Sequence, residues 1–111
     1  GDIRAIPKLN DLLNDDEPNI RWDSAIALAK MGEKTSIPII ENLMDRQYLM
    51  TFPELDYKEI DKVIMTAIET STLIVDSTFE PSLIELAKND QSLTVRDLAI
   101  KALKRSYDRT I

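Results

Sequence analysis

The chain has 111 residues, with 20 acidic and 14 basic side chains and a formal net charge of −6. It holds no cysteine, no histidine and only two glycines. That excludes a disulfide framework and a zinc–thiolate site, and removes the commonest general base and metal ligand. Net acidity argues against a binder of phosphate backbones, and no apolar run approaches the roughly 18 to 20 residues of a membrane span.

Long segments between sparse turn signals predict helices. The first runs from about Asp2 to Leu13, with Ile6, Leu9, Leu12 and Leu13 on one stripe. The second starts at Pro18, a good first-turn residue, and stops at Gly32. The third runs from about Ser36 to Arg46, with Ile37, Ile40, Leu43 and Met44 inward. The fourth has the clearest start: Asp56 caps it, Glu59 can reach back, and Leu55 and Ile60 form a hydrophobic staple. It fades near Ser71 to Val75, where β-branched residues weaken a helix end. The fifth spans about Glu80 to Lys88, and Ser92 caps a sixth that reaches Tyr107. Only the stretch Leu73–Val75 hints at a strand.

The segments repeat. Pro7, Pro38 and Pro81 each sit near the start of an odd-numbered helix. Each is followed at matching offsets by Leu9, Ile40 or Leu83, by Leu12, Leu43 or Leu86, and by Leu13, Met44 or Ala87. In the even-numbered helices Ile20, Ile60 and Val95 correspond, as do Ala27, Ala67 and Ala102, and Leu28, Ile68 and Leu103. Self-similarity at this period marks a helical repeat array. The hairpins fall at about Asp2–Gly32, Ser36–Val75 and Glu80–Tyr107, within one repeat domain over 1–111.

These residues resemble a HEAT repeat. Ala5-Ile6-Pro7 through Leu13, Asp15, Ile20-Arg21, Ala25, Ala27-Leu28 and Met31-Gly32 are similar to the short bacterial, phycobilin-lyase-like type. Leu83, Leu86, Asp90, Val95-Arg96, Ala99 and Ala102-Leu103 repeat the match. The resemblance implies an all-α, right-handed α-solenoid of three antiparallel hairpins, used for binding rather than chemistry. It also implies a structural ladder of Asp15 with Arg21 and of Asp90 with Arg96, linking successive repeats. In the middle hairpin Leu55 and Asp61 stand at those positions, so the ladder is expected to break there.

Two features depart from the repeat. Trp22, Ile26 and Ala29 fall within about 60° on a helix of about 100° per residue, opposite the main stripe. The matching later positions, Lys62, Thr66 and Glu69, then Asp97, Lys101 and Lys104, are polar apart from the threonine methyl. Trp22 is therefore either a binding hot spot or covered by the chain or a neighbouring repeat. Second, the extra length of the middle hairpin falls mainly in Gln47–Leu55, with Tyr48, Phe52 and, just beyond, Tyr57. An apolar insert of this kind is a recognition loop or a plug.

The acidic triplet Asp15, Asp16, Glu17 lacks the glycine bend and ligand spacing of a calcium loop and reads as a solvated turn. Residues 1–94 hold nine basic and eighteen acidic side chains, whereas 95–111 hold five and two. The basic end complements a helix dipole or offers a small docking end. With no phosphate loop and no triad, no catalytic, cofactor-binding or metal site is expected. The expected function is a non-catalytic protein-interaction scaffold; an accessory or lyase-like subunit, or a structural spacer, is the alternative. Its partner is then another protein or peptide, met through Trp22, Ile26, Tyr48, Phe52 and Tyr57. The opening Gly1–Pro7 is similar to the link Gly32–Pro38 between repeats, so further repeats are expected on the N-terminal side.

Overall fold

The computed structural model describes residues 2–111. The expectation that Gly1 belongs to an inter-repeat link lies outside them. The described residues are helical and contain no strand. Seven α-helices follow one another: α1 Ile6–Leu12, α2 Pro18–Lys30, α3 Ile37–Leu43, α4 Arg46–Leu49, α5 Tyr57–Ser71, α6 Phe79–Asn89 and α7 Leu93–Tyr107. None is long and apolar enough to cross a membrane.

Local chemistry sets the helix ends. Prolines stand in the first turns of α1, α2 and α3, where a missing N–H costs nothing. Short 3-10 turns, Ile3–Ala5 and Lys34–Ser36, lead into α1 and α3. At α5 the Glu59 N–H donates to the Asp56 carboxylate at 2.8 Å, and the Asp56 N–H donates back to Glu59 at 3.1 Å. The expected capping box is therefore complete. Ser92 caps α7 through its hydroxyl, which accepts from the Val95 N–H at 3.3 Å. Gly32 ends α2 at φ 78°. There the Gly32 N–H reaches the Ala29 carbonyl and the Glu33 N–H reaches Leu28, both at 2.9 Å. This crossed pair of bonds needs a left-handed residue, and glycine adopts that shape without a Cβ clash.

The expected third helix is divided. Met44 leaves the helix after Leu43, and Asp45 caps a new turn, α4, accepting from the N–H groups of Gln47 and Tyr48. An aspartate at this point competes for nearby backbone donors and so favours a fresh start over continuation. At Leu73–Val75 the chain turns and bends between α5 and α6 and forms no strand, with the Leu73 N–H donating to the Thr70 carbonyl at 2.9 Å. Only Ile74 of the three is buried; Leu73 and Val75 face outward.

Helix α1 packs on α2, α2 on α3, α3 on α5 and α6 on α7, while α2, α5 and α7 touch in succession. The result is a slab of 39 × 34 × 18 Å. One contiguous core runs through it, built from Ile40, Leu43, Ile64, Ala67, Leu83, Val95 and Leu103 among others. Ala67 and Ala102 are buried where helices approach closely. Phe79, outside the expected fifth helix, is fully buried at the start of α6.

Candidate protein-binding groove

Residues 45–56 form the insert, and it folds back on the core. Leu49 of α4 is fully buried and anchors it. The Phe52 ring meets Trp22 edge-on, with centroids 5.1 Å apart, and Tyr48 meets Phe52 at 5.2 Å. Edge-to-face contacts of this kind suit the quadrupoles of aromatic rings. Trp22 is thereby 6% exposed.

Of the two readings of Trp22, covered or an exposed hot spot, the covered one holds: the chain's own insert lies over it. Ile26, Tyr48 and Phe52 are half-buried and pack against the core. Each is partly covered by these contacts. Tyr57 alone of the five is open, at 65% exposure.

The first residue of α4 carries the most consequential charge. Nε and Nη2 of Arg46 donate to the two carboxylate oxygens of Asp90, each at 2.9 Å. Nη2 also donates to Asp61 at 2.6 Å. The Arg46 side chain is 9% exposed and that of Asp90 is 3% exposed. A planar guanidinium matches a carboxylate at two points, which fixes orientation as well as energy. The Asp90 bond, helped by Asp61, holds the Arg46 pKa above its ordinary value against the opposing effect of burial. One side chain thus joins the insert, α5 and the end of α6.

That arrangement corrects the ladder. Asp61 stands where the other two copies carry arginine, and the break expected there is closed by Arg46 from the start of α4. Asp90 serves Arg46 instead of Arg96, and also accepts from the Ser92 N–H at 3.0 Å. Arg96 keeps its Nε buried and unbonded. Arg21 does not reach the Asp15 carboxylate. Its Nη1 donates to the backbone carbonyls of Asp15 at 2.8 Å and Asp16 at 3.2 Å. The Asp15 carboxylate accepts from the Glu17 N–H instead, because that bond closes the turn locally.

Around Arg46 the surface is concave. A cleft of about 620 Å³ opens between α3–α4 and α6. Glu41, Asp45, Glu85 and Asp90 stand on its walls with Arg46. Because Arg46 already balances Asp90 and Asp61, the carboxylates of Glu41, Asp45 and Glu85 leave the cleft acidic. Next to it lies an apolar pocket of about 260 Å³ lined by Met50, Phe52, Pro53, Leu55, Tyr57 and Ile60. Arg46 and Gln91 line both hollows. The two therefore adjoin at these side chains, as a groove surface with an acidic and an apolar end. Met50 and Tyr57 are largely exposed at the apolar end.

Among the described residues, no three carboxylates converge in a way that would hold a metal ion. The Tyr107 hydroxyl, which links α7 to the α5–α6 turn, donates to the Asp76 carbonyl at 2.7 Å.

Residues 20–46 match the family model of the PBS lyase HEAT-like repeat. The match begins at Ile20-Arg21 within α2 and ends at Arg46, so it covers most of α2, the link, α3 and the first residue of α4. Comparison with curated proteins and with solved structures gave no match.

Proposed function

From a chain that carries a PBS lyase HEAT-like repeat, we propose a non-catalytic protein-interaction module. In this reading α1–α2, α3–α5 and α6–α7 are three antiparallel hairpins of a right-handed solenoid, in which each pair buries its apolar face against its neighbours. The groove between the second and third pairs is the binding site. Its occupant is a peptide segment that sets a lysine or arginine beside an apolar or aromatic side chain.

The observation that carries this reading is the sharing of Arg46 and Gln91 by the acidic cleft and the apolar pocket. Carboxylates at one end attract a cation and set register, while the apolar end supplies the desolvation that gives affinity. Arg46 is bonded on three sides and rigid, so the groove is formed before the partner arrives, which lowers the entropic cost of binding. Chemistry of the lyase kind finds little support. The chain has no cysteine or histidine to act as nucleophile or base.

An array of blocked hexapeptides, with basic, acidic and aromatic positions permuted, tests the proposal. Retention is expected for sequences pairing a basic with an apolar residue, and is expected to fall in Glu41→Gln/Glu85→Gln. If retention is indifferent to peptide charge, or survives that double substitution, the groove is not the site.

A further inference from the structure

One stripe of α7 faces solvent, and its residues follow a pattern. Leu93, Asp97, Ile100, Lys104 and Tyr107 succeed one another at steps of four and three residues. At about 100° per residue they stay within about 80° of one another, so they share one side of the helix. Leu93 is 72% exposed and Ile100 39%. Asp97 and Lys104 both have more than half of their side chains open. Tyr107, at the far end, is half-buried, with its ring packed beside the core.

Read in reverse, the stripe keeps its chemistry: apolar, charged, apolar, charged, apolar, with opposite signs at mirrored places. An isologous contact requires that property, because each residue then meets its mirror position on an identical surface. Leu93 and Tyr107 lie equally far from Ile100 along the helix. Asp97 and Lys104 differ in that distance by one residue, about 1.5 Å. An antiparallel α7 from a second copy therefore sets Leu93 against the partner's Tyr107, Asp97 against the partner's Lys104, and Ile100 against its own twin. We infer that a second copy of this chain docks here, α7 against α7, about a two-fold axis that passes by Ile100.

Charge complementarity selects this occupant over others. Within each copy Asp97 pairs with Lys101 at 2.9 Å and Lys104 with Asp108 at 3.0 Å. In the dimer these exposed pairs join into an alternating row: Lys101, Asp97, the partner's Lys104, the partner's Asp108. Asp97 then lies between two cations and Lys104 between two anions, so neither is desolvated without a partner. Leu93 and Ile100 supply the apolar burial that exposed ion pairs alone do not. A partner of one charge sign would match half of the stripe and repel the other half. The corresponding stripes of α2 and α5 do not offer this surface. In α2, Trp22, Ala25 and Ala29 are covered inside the molecule. In α5, Lys58 and Thr72 replace the apolar ends, and Met65 packs on the chain's own core.

No residue of the stripe lines the groove, so the dimer leaves that site open and is tested apart from it. One helix against its twin is a small protein interface, and a Kd on the order of tens of micromolar is expected. Sedimentation of the full chain over a concentration series should show a monomer–dimer equilibrium that Ile100→Glu abolishes. Asp97→Lys and Lys104→Asp each set like charges together at both contacts, and each is expected to raise Kd about tenfold or more. An equimolar mixture of those two variants should dimerise again, because every charge of the stripe then meets its opposite. All three positions are exposed, so far-ultraviolet circular dichroism is expected to stay that of the parent. The chain has no cysteine, so Ile100→Cys should cross-link to its twin on oxidation. Thr94→Cys, exposed but about 120° away round α7, should not. A parent chain still monomeric at about 1 mM would overturn the inference. So would a dimer indifferent to Ile100→Glu, a mixture that stays monomeric, or equal cross-linking of the Thr94→Cys and Ile100→Cys chains.

Discussion

At Arg46 a single guanidinium answers two carboxylates, one of them Asp90 at 3% exposure. Removing it leaves that carboxylate buried and uncompensated. Arg46→Ala is therefore expected to cost about 3 kcal/mol in urea unfolding, in the range for breaking a buried pair. A loss below about 1 kcal/mol, the level of an exposed pair, would show the site to be well hydrated. Arg21→Ala removes hydrogen bonds to two carbonyls at a half-exposed turn and is expected to cost only about 1 kcal/mol. The positions of the charged ladder were legible in the sequence, but its pairings were not. Whether an arginine meets a carboxylate or the carbonyl of the same residue depends on a turn that closes itself first, as at Asp15. The one available clue to Arg46 was Asp61: an acid standing where its counterparts are basic demands a cation from elsewhere. Tyr107 adds a pH dependence. Burial raises its pKa, against the Asp76 N–H, which donates to the phenol oxygen at 3.3 Å and lowers it. An unfolded tyrosine thus ionises first, and its stabilising contribution is complete below about pH 10 and lost as pH climbs through the folded value. Tyr107→Phe should flatten that alkaline limb of the stability curve relative to the parent; parallel limbs would mean that the hydroxyl is not protected.

Among the elements, the insert is the one whose role needed coordinates. Its apolar character was plain from Tyr48 to Tyr57, but a plug and a recognition loop have the same composition. They differ only in whether a partner for the rings exists within the chain. That partner is Trp22, which explains why α2 alone carries an apolar second face. Because Trp22 is the only tryptophan, its fluorescence reports the contact directly. Phe52→Ala is expected to shift emission to the red and to cost about 2 kcal/mol, less than full core truncation because Phe52 is half-buried. An unshifted spectrum would mean that other side chains cover the indole. The capping box at Asp56 and the stop at Gly32 were both readable, since each depends on residues within one turn. A Cβ on Gly32 meets no neighbour, so Gly32→Ala carries only the cost of the left-handed backbone, about 1 kcal/mol. Thermal or chemical denaturation checks it, and a neutral result would imply that the turn relaxes. The division between α3 and α4 escaped the sequence because the apolar periodicity runs on past Leu43, and the Asp45 cap overrides it.

For the molecule as a whole, repetition made the helical architecture visible, and departures from repetition mark where it is used. The insert lengthens the middle pair and seals Trp22. It also carries Arg46 to the junction of α5 and α6, and so creates a groove with an acidic end and an apolar end. Binding at that groove is the central claim. Isothermal titration of a hexapeptide chosen from the array, with one basic and one aromatic residue, tests it most directly when run at two salt concentrations. Binding is expected to weaken as salt rises, since partly exposed charges are screened. The Kd is expected to rise about tenfold in Glu41→Gln/Glu85→Gln, equivalent to about 1.4 kcal/mol. A Kd unchanged by salt and by that double substitution would contradict it.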